Sequence, residues 1–458
     1  MSRLFGTDGV RGVANAPELT PELAFALGRA AARLAAEGRL QGADGRAAAA
    51  RRPLAVVGRD TRRSGTMLAA AVSAGIQSAG GDVIPLGVIT TPGVAYLTRE
   101  LGADFGVVIS ASHNPAEYNG IKFFSRDGFK LPDPVEDELE ALVRAASDDG
   151  PRPTGPEVGT ERPVAGAVER YVEYLAGTAD VSLRGLKVVV DCGHGAAYRL
   201  APAVLERLGA EVIAIGVEPD GMNINAGCGS TCPEALQAAV LAHGAQVGIA
   251  HDGDADRCLA VDERGRLVDG DAILGICALD LLRRGELPGR QVVATVMSNM
   301  GLEMWLREHG IQLLRTKVGD RYVLEQMLAT GAALGGEQSG HIIFRRYSTT
   351  GDGILTAVQL LAVMVRSGRP LSELAEQIPR FPQVLENVRV RQKEGWAENP
   401  RIQAAIRRAE ERLAGRGRVL VRPSGTEPLI RVMIEGPDPS LLAEMAAELR
   451  EVIAAELG

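Results

Sequence analysis

One pattern recurs three times along this chain and constrains its fold more than any single motif. Each copy has an apolar strand, a polar or glycine turn opening a helix, a second strand, another helix, and a third strand ending in a polar loop. The first strands are "LAVVGRD" from Leu54, "LKVVVDCGHG" from Leu186 and "RQVVATVMSN" from Arg290. The second strands are "GGDVIPLG", "GAEVIAIG" and "GIQLLRT". The third begin with Gly-Ala: "GADFGVVISASHNP" from Gly102, "GAQVGIAHDGDADR" from Gly244 and "GAALGGEQSGH" from Gly331. Repetition on this scale bears on architecture before any motif does. Apolar strands alternating with helices predict α/β layers with mainly parallel sheets, whose ligands bind beyond the carboxyl ends of the strands. Three equivalent loops can therefore face one central cleft.

The rest of the chain reads differently. "RVLVRPSGTEPLIRVMIEG" is a strand, a loop and a strand, and "PDPSLLAEMAAELREVIAAEL" is an amphipathic helix, which together predict a smaller α+β C-terminal domain. At 458 residues and about 150 residues per domain, several domains are expected. The pattern divides them as 1–150, 160–252, 253–368 and 380–458, with linkers around Ser147–Gly159 and Arg366–Pro382. The Ala/Gly/Arg-rich stretch Gly38–Pro53 reads as a mobile surface loop without function.

Charge and cysteine content narrow the function. With 50 basic against 58 acidic side chains, the formal net charge is −8. No broad basic field is available for a phosphate backbone, which argues against nucleic acid as a partner. No apolar run approaches the length of a membrane span, and the opening "MSRLFGTDGVRG" lacks the apolar core of a signal peptide, so a cytoplasmic location is expected. Cys192, Cys228, Cys232, Cys258 and Cys277 form an odd, scattered set that suits a reducing compartment. Cys228 and Cys232 offer half a zinc site, but no second pair follows.

The strongest chemical signal is "DGDADR". Asp252, Asp254 and Asp256 lie at alternate positions, so in a looped chain three mutually repelling carboxylates can converge. A hard cation relieves that repulsion, and Mg²⁺ is the natural candidate. A calcium-binding EF-hand is excluded, because Arg257 stands where the sharp turn needs glycine and the flanks are strands. In "ISASHNP", Ser110 and Ser112 taken alone are ordinary turn residues. Their position, equivalent to the metal loop of the next repeat, makes a serine there a candidate phosphoryl carrier. Lys122, between Ile121 and Phe123, is expected to point into the cleft. In "GEQSGH", Glu337, Ser339 and His341 would project to one side if the segment were extended, a row suited to sugar hydroxyls. In "RPSGTEP", Arg422, Ser424, Gly425 and Thr426, with Arg431 on the returning strand, are the parts of a phosphate cradle.

Eight motifs, "GTDGVRG", "SASHNP", "NGIKFF", "NINAGCGST", "DGDADR", "TKVGDRY", "GGEQSGH" and "RPSGTEP", occur in the order found in the phosphohexomutase superfamily, which this chain resembles nearly end to end. "GTDGVRGVAN", "NINAGCGST" and "GEQSGH" look like its glucosamine branch and unlike its mannose or glucose branches. The resemblance implies four domains around a deep cleft and an isomerase that interconverts glucosamine 6-phosphate and glucosamine 1-phosphate through a glucosamine 1,6-bisphosphate intermediate. It also implies that Ser112 carries the phosphoryl group and joins Asp252, Asp254 and Asp256 in binding Mg²⁺. By the same likeness Arg11, His113, Lys122 and Arg257 surround the transferring group, Glu337, Ser339 and His341 hold the sugar, and the C-terminal loop holds the phosphate that is not reacting. A sugar-phosphate phosphatase and a mannose or glucose phosphomutase are the competing readings. The sequence leaves monomer or dimer open.

Overall fold

The computed structural model describes residues 3–6, 8–40, 52–145, 152–424 and 428–458. The expected threefold repetition appears as strand order. The first sheet contains β1 (Val10–Val13), β2 (Leu54–Arg59), β3 (Asp82–Val88), β4 (Phe105–Ile109) and β5 (Tyr118–Ser125), ordered β1-β5-β4-β2-β3. The second contains β6 (Lys187–Asp191), β7 (Glu211–Ile215), β8 (Val247–Ala250), β9 (Leu259–Asp262) and β10 (Leu267–Val268), ordered β10-β9-β8-β6-β7. The third contains β11 (Gln291–Thr295), β12 (Gln312–Thr316), β13 (Leu334–Gly336) and β14 (Ile342–Phe344), ordered β12-β11-β13-β14.

In each sheet the first strand of the repeat lies between the second and the third, and the third turns back antiparallel as a return strand: β4 with β5, β8 with β9, β13 with β14. The first and third strands of each repeat are parallel. Their apolar runs are buried, as parallel strands covered on both faces require: β4 is buried throughout, and so is β8. The helix Pro21–Ala36 begins where the Thr20 hydroxyl accepts from Leu23 N at 3.2 Å. It packs on the helix Gly65–Ser78 at two glycines. A Cβ on Gly28 would lie 2.3 Å from the Val72 carbonyl oxygen, and one on Gly75 would lie 2.1 Å from that of Phe25.

One expected boundary changes. A break at 252/253 would cut the second sheet, because β8 and β9 pair continuously from Val247↔Asp262 to Ala250↔Leu259. The aspartate loop is the turn of a hairpin and not the end of a sheet. The chain also divides into two compact units, Met1–Met297 with Leu313–Glu376, and Ser298–Gln312 with Gln377–Gly458. Residues 298–312, which lie between the first and second strands of the third repeat, group with the C-terminal segment in this division. Asn299 Nδ2 donates to the Phe381 carbonyl at 2.9 Å, and Arg418 donates to that of Ser298 at 2.7 Å.

The second unit has its own core. Its antiparallel sheet β15 (Gln383–Arg389), β16 (Arg418–Pro423) and β17 (Leu429–Glu435), ordered β15-β17-β16, packs Val388, Ile430 and Val432 against the helices Pro400–Leu413 and Pro439–Leu457. The expected α+β tail is therefore present. Most of Gly38–Pro53, part of Ser147–Gly159, and Gly425 and Thr426 lie outside the described residues. Among the described residues, no helix is long and apolar enough to cross a membrane.

Candidate active site

The three motif loops span residues 110–117, 251–258 and 337–341, each between a third strand and its return strand. They meet within the first compact unit. The first loop holds Ser112 in a left-handed conformation (φ 51°), unusual for a residue with a side chain, and several groups fix it there. Ser112 N donates to Ser110 Oγ at 3.0 Å, and Ser110 Oγ donates to Asp60 Oδ2 at 2.5 Å. Arg62 is fully buried and ion-paired to Asp60, and it donates to the carbonyls of Ser112 (3.0 Å) and Asn114 (2.6 Å). Asn225, from the second repeat, donates to the same two carbonyls at 3.0 and 3.2 Å. Ser110 is thus a support, and Ser112 is the serine whose hydroxyl faces the aspartates: its Oγ donates to Asp252 Oδ2 at 2.5 Å. A side chain on Gly253 would strike the Ser112 carbonyl oxygen at 2.5 Å, so the two loops can approach this closely only with glycine there.

Asp252, Asp254 and Asp256 are buried, and their ligand atoms lie within 4.8 Å of one another. Asp254 is anchored by Thr91 Oγ1 at 2.6 Å and Lys122 Nζ at 2.9 Å. Burial alone would raise its pKa, but Lys122 and the Thr91 hydroxyl outweigh that and hold it below the usual carboxylate range. Asp252 goes the other way, pushed well up by burial and then by the charges of Asp256 and Asp254. Burial and Asp254 likewise raise Asp256. Oδ1 of Asp254 and Oδ1 of Asp256 are buried and accept no hydrogen bond. Three carboxylates that resist common ionisation, with orphaned oxygens turned to one point, fit a divalent cation. It is the one such cluster among the described residues. The five cysteines are free, and four are buried.

Cations surround the same point. Lys122 on β5 is 2% exposed and lies 2.9 Å from both Asp254 and Asp8. Burial lowers its pKa, yet the two carboxylates raise it further, so it stands protonated. His113 Nδ1 is 3.4 Å from Ser112 Oγ. Its pKa falls to about 4, first through burial and then through the fields of Arg257 and Arg11. Arg257 lies 3.9 Å from Asp256, and Arg11 pairs with Asp8.

The third loop departs from expectation. Glu337, Ser339 and His341 do not form an extended row. Glu337 N donates to the His341 carbonyl at 2.9 Å and Gly340 N to that of Glu337 at 3.0 Å, which closes a tight turn. Ser339 is consequently exposed, whereas His341 is buried with Nε2 4.0 Å from Asp256 Oδ2. The glycines that flank the motif specify the turn. In the second unit, Arg422 on β16 and Arg431 on β17 are register partners. Burial, and then the charge of Arg431, lowers the pKa of Arg422, the signature of two cations sharing one face. Ser424 N donates to the Leu429 carbonyl, and Lys393 donates to the Ser424 carbonyl at 2.8 Å.

These motifs are arranged on the architecture of known enzymes. Four models of phosphoglucomutase/phosphomannomutase match in order: α/β/α domain I over residues 2–149, domain II over 169–265, domain III over 269–381 and the C-terminal domain over 385–452. The chain belongs to the phosphohexomutase superfamily. Among phosphohexomutases, it is 68% identical over the full length of both chains to a phosphoglucosamine mutase of Symbiobacterium thermophilum. It is 59% identical, over 99% of each chain, to that of Moorella thermoacetica. A phosphoglucomutase/phosphomannomutase family protein from Burkholderia thailandensis superposes with a TM-score of 0.79 at 28% identity, covering 99% of this chain and 98% of the other. An N-acetylphosphoglucosamine mutase of Aspergillus fumigatus, solved with GlcNAc-6P and magnesium, shares the phosphohexomutase fold with a TM-score of 0.68 at 19% identity, covering 99% and 96%.

Sequence reasoning named Ser112, the aspartates and the surrounding cations. It missed Asp60, Arg62, Thr91, Asn225, Asp8, Lys130, Asp320 and Lys393. Asp8, Asn225 and Asp320 lie inside motifs that were recognised, whereas Thr91 and Lys393 carry no local signal.

Proposed function

We propose that this chain is a phosphomutase that interconverts glucosamine 6-phosphate and glucosamine 1-phosphate, with Ser112 as phosphoryl carrier, and that it supplies amino-sugar nucleotide and cell-wall precursor synthesis in the cytoplasm. The observation that carries the reading is Ser112 Oγ at 2.5 Å from Asp252, on a loop held in its left-handed form, with two further buried aspartates behind it. The identity to phosphoglucosamine mutases supports the choice of sugar.

Asp252, Asp254 and Asp256, with the phosphorylated Ser112, would hold Mg²⁺, as the A. fumigatus enzyme was solved with magnesium. Bound there, the cation neutralises charge on the phosphoryl oxygens. The protein's own residues do the rest by positioning and charge. A phosphoserine brings about −1.5 to −2 charges, which protonated Lys122, Arg257 and Arg11 offset. The phosphoryl group passes from Ser112 Oγ to O1 of glucosamine 6-phosphate, giving the 1,6-bisphosphate. After the sugar reverses, the group on O6 returns to Ser112 and glucosamine 1-phosphate leaves. Glucose 1,6-bisphosphate is the ligand of another A. fumigatus structure of this fold. Glu337 and His341 face the sugar, and Arg422 and Arg431 with the Ser424 loop hold whichever phosphate is not reacting.

The test is mutase activity on glucosamine, glucose and mannose 6-phosphates with a trace of bisphosphate, together with peptide mass mapping of Ser110 and Ser112. Preference for the glucosamine substrate and phosphate on Ser112 are expected. Phosphate on Ser110 alone, or net release of inorganic phosphate, would overturn the reading.

A further inference from the structure

The motif "TKVGDRY" has no role in the chemistry above, yet its residues reach from the third repeat into the first. Gly319 N donates to Glu337 Oε1 at 3.2 Å. Asp320 Oδ2 lies 3.5 Å from His341 Nε2 and pairs with Lys130, from the segment after β5. Arg321 donates to the Leu131 carbonyl at 3.1 Å and pairs with Glu136 at 3.2 Å. Lys130 is the branch point. Its side chain is 11% exposed, and its ammonium sits between Asp320 and Asp8. Asp8 in turn takes Lys122 at 2.9 Å and also Arg11. The charges alternate along Asp254, Lys122, Asp8, Lys130 and Asp320, and Asp320 meets the imidazole of His341. The series runs from the metal-loop aspartate of the second repeat, through the first, to the sugar-side histidine of the third.

The two ends of this series differ in redundancy. Without Lys130, Asp8 keeps Lys122 and Arg11. Asp320 keeps the Arg321 amide, which donates to its Oδ1 at 2.9 Å, and among basic side chains of the described residues only His341, at a distance longer than a hydrogen bond. Burial would push the Asp320 pKa up, but Lys130 and then His341 hold it below the ordinary value, so Lys130 is the principal reason that it stays charged. The donation from Gly319 joins Glu337 to the same segment. One lysine is thus connected, through the Gly319–Asp320 segment, to both the half-buried Glu337 and the buried His341.

We propose that Lys130 is a positioning residue, acting through Asp320 to hold His341 and Glu337 in the sugar-binding arrangement while leaving the Ser112 end of the site to Asp8's other partners. The proposal rests on the mutase reading for the identity of the sugar, and not for the geometry. Its effect falls on sugar capture more than on the state of the phosphoserine.

The experiment compares full-length wild type with Lys130→Met, Lys130→Arg, Asp320→Asn and the double variant Lys130→Met/Asp320→Asn. KM and kcat for glucosamine 6-phosphate, phosphate content of Ser112 by intact mass, melting temperature and the His341 imidazole NMR signal are measured. Lys130→Met and Asp320→Asn should each raise KM about tenfold or more, the loss of one charge-assisted contact of about 1.5 kcal/mol. Ser112 phosphate content should be unchanged, the His341 signal should shift, and Lys130→Arg should recover most of the KM. The double variant removes one charge of each sign, so its melting temperature should return toward wild type while KM stays raised. A KM that recovers with the melting temperature would show that Lys130 only balances buried charge, and a wild-type KM in Asp320→Asn would overturn the proposal even if Lys130→Met fails to fold. If wild type turns over none of the sugar phosphates, the mutase reading fails, whereas the His341 shift and its rescue by arginine still decide the positioning role.

Discussion

Asn225 offers the most discriminating perturbation of the Ser112 loop. Its Nδ2 makes two hydrogen bonds, to the Ser112 and Asn114 carbonyls, while its buried Oδ1 accepts none. Arg62 serves both carbonyls as well, so removing Asn225 strips no buried acceptor of its last partner. The loss is then the net value of two hydrogen bonds, about 1–3 kcal/mol. Asn225 also has φ 58°. Alanine tolerates the left-handed region less well than asparagine and so adds some strain to that loss. Glycine avoids that strain but adds about 0.4–1 kcal/mol through the greater freedom of the unfolded chain. Asn225→Ala and Asn225→Gly should therefore both lose about 1–4 kcal/mol in urea unfolding at pH 7, by different routes. The kinetic signature should be common to both: kcat down about tenfold, equivalent to about 1.4 kcal/mol of barrier, with KM little changed, because Ser112 Oγ is less well aimed while the sugar contacts lie elsewhere. Wild-type stability in Asn225→Gly would refute the hydrogen-bond argument. Lost stability with wild-type kcat would show that the clamp holds the loop but does not aim the hydroxyl.

Three further outcomes are expected. Asp254→Asn removes one carboxylate charge from the cluster and one of the two carboxylate partners of Lys122, so half-saturation of activity should need at least about tenfold more Mg²⁺; a wild-type Mg²⁺ titration would exclude Asp254 as a ligand. Arg422→Ala should raise KM for glucosamine 6-phosphate by about 10- to 100-fold, the loss of a charge-assisted bond of about 1.5–3 kcal/mol, with Ser112 phosphate content unchanged; an unaltered KM would make that loop a structural hairpin. His251 is fully buried and its pKa is lowered from 6.5 to about 4, burial outweighing its bond to the Arg257 carbonyl. The unfolded chain takes up this proton below about 6.5 and the folded chain only below about 4, so stability should fall by roughly 3 kcal/mol as pH drops through that window and change no further from this group below it. Urea midpoints at pH 7, 5.5 and 4.5 for wild type and His251→Gln test this, since the variant should lack that part of the slope.

What could be read from the sequence follows from what is local. The repeats were legible because each needs its own apolar strands at similar spacing, and the aspartates because three carboxylates at alternate positions have few bland explanations. Alternation puts Glu337, Ser339 and His341 on one side only in an extended segment, and the flanking glycines close a turn there instead. The boundary after Asp252 was misplaced for a related reason. A hairpin return and a sheet end look alike until the next strand is paired, and "CLAVD" is short. Arg62, Thr91 and Lys130 were invisible because their meaning comes from partners up to 190 residues away, as between Lys130 and Asp320. No window along one chain contains such a pairing.

Each motif loop is tethered at both ends to neighbouring strands of its own sheet. A duplicated ancestor with that construction could let one short segment drift while the scaffold stayed under selection for folding alone. The three loops carry different side chains, one Ser112, one Asp252, Asp254 and Asp256, and one His341. None retains the others' equipment, so no single copy is a miniature of the whole. Ser112 of the first repeat meets Asp252 of the second, and His341 of the third lies beside Asp256 of the second, so the cluster exists only where all three repeats come together in one chain.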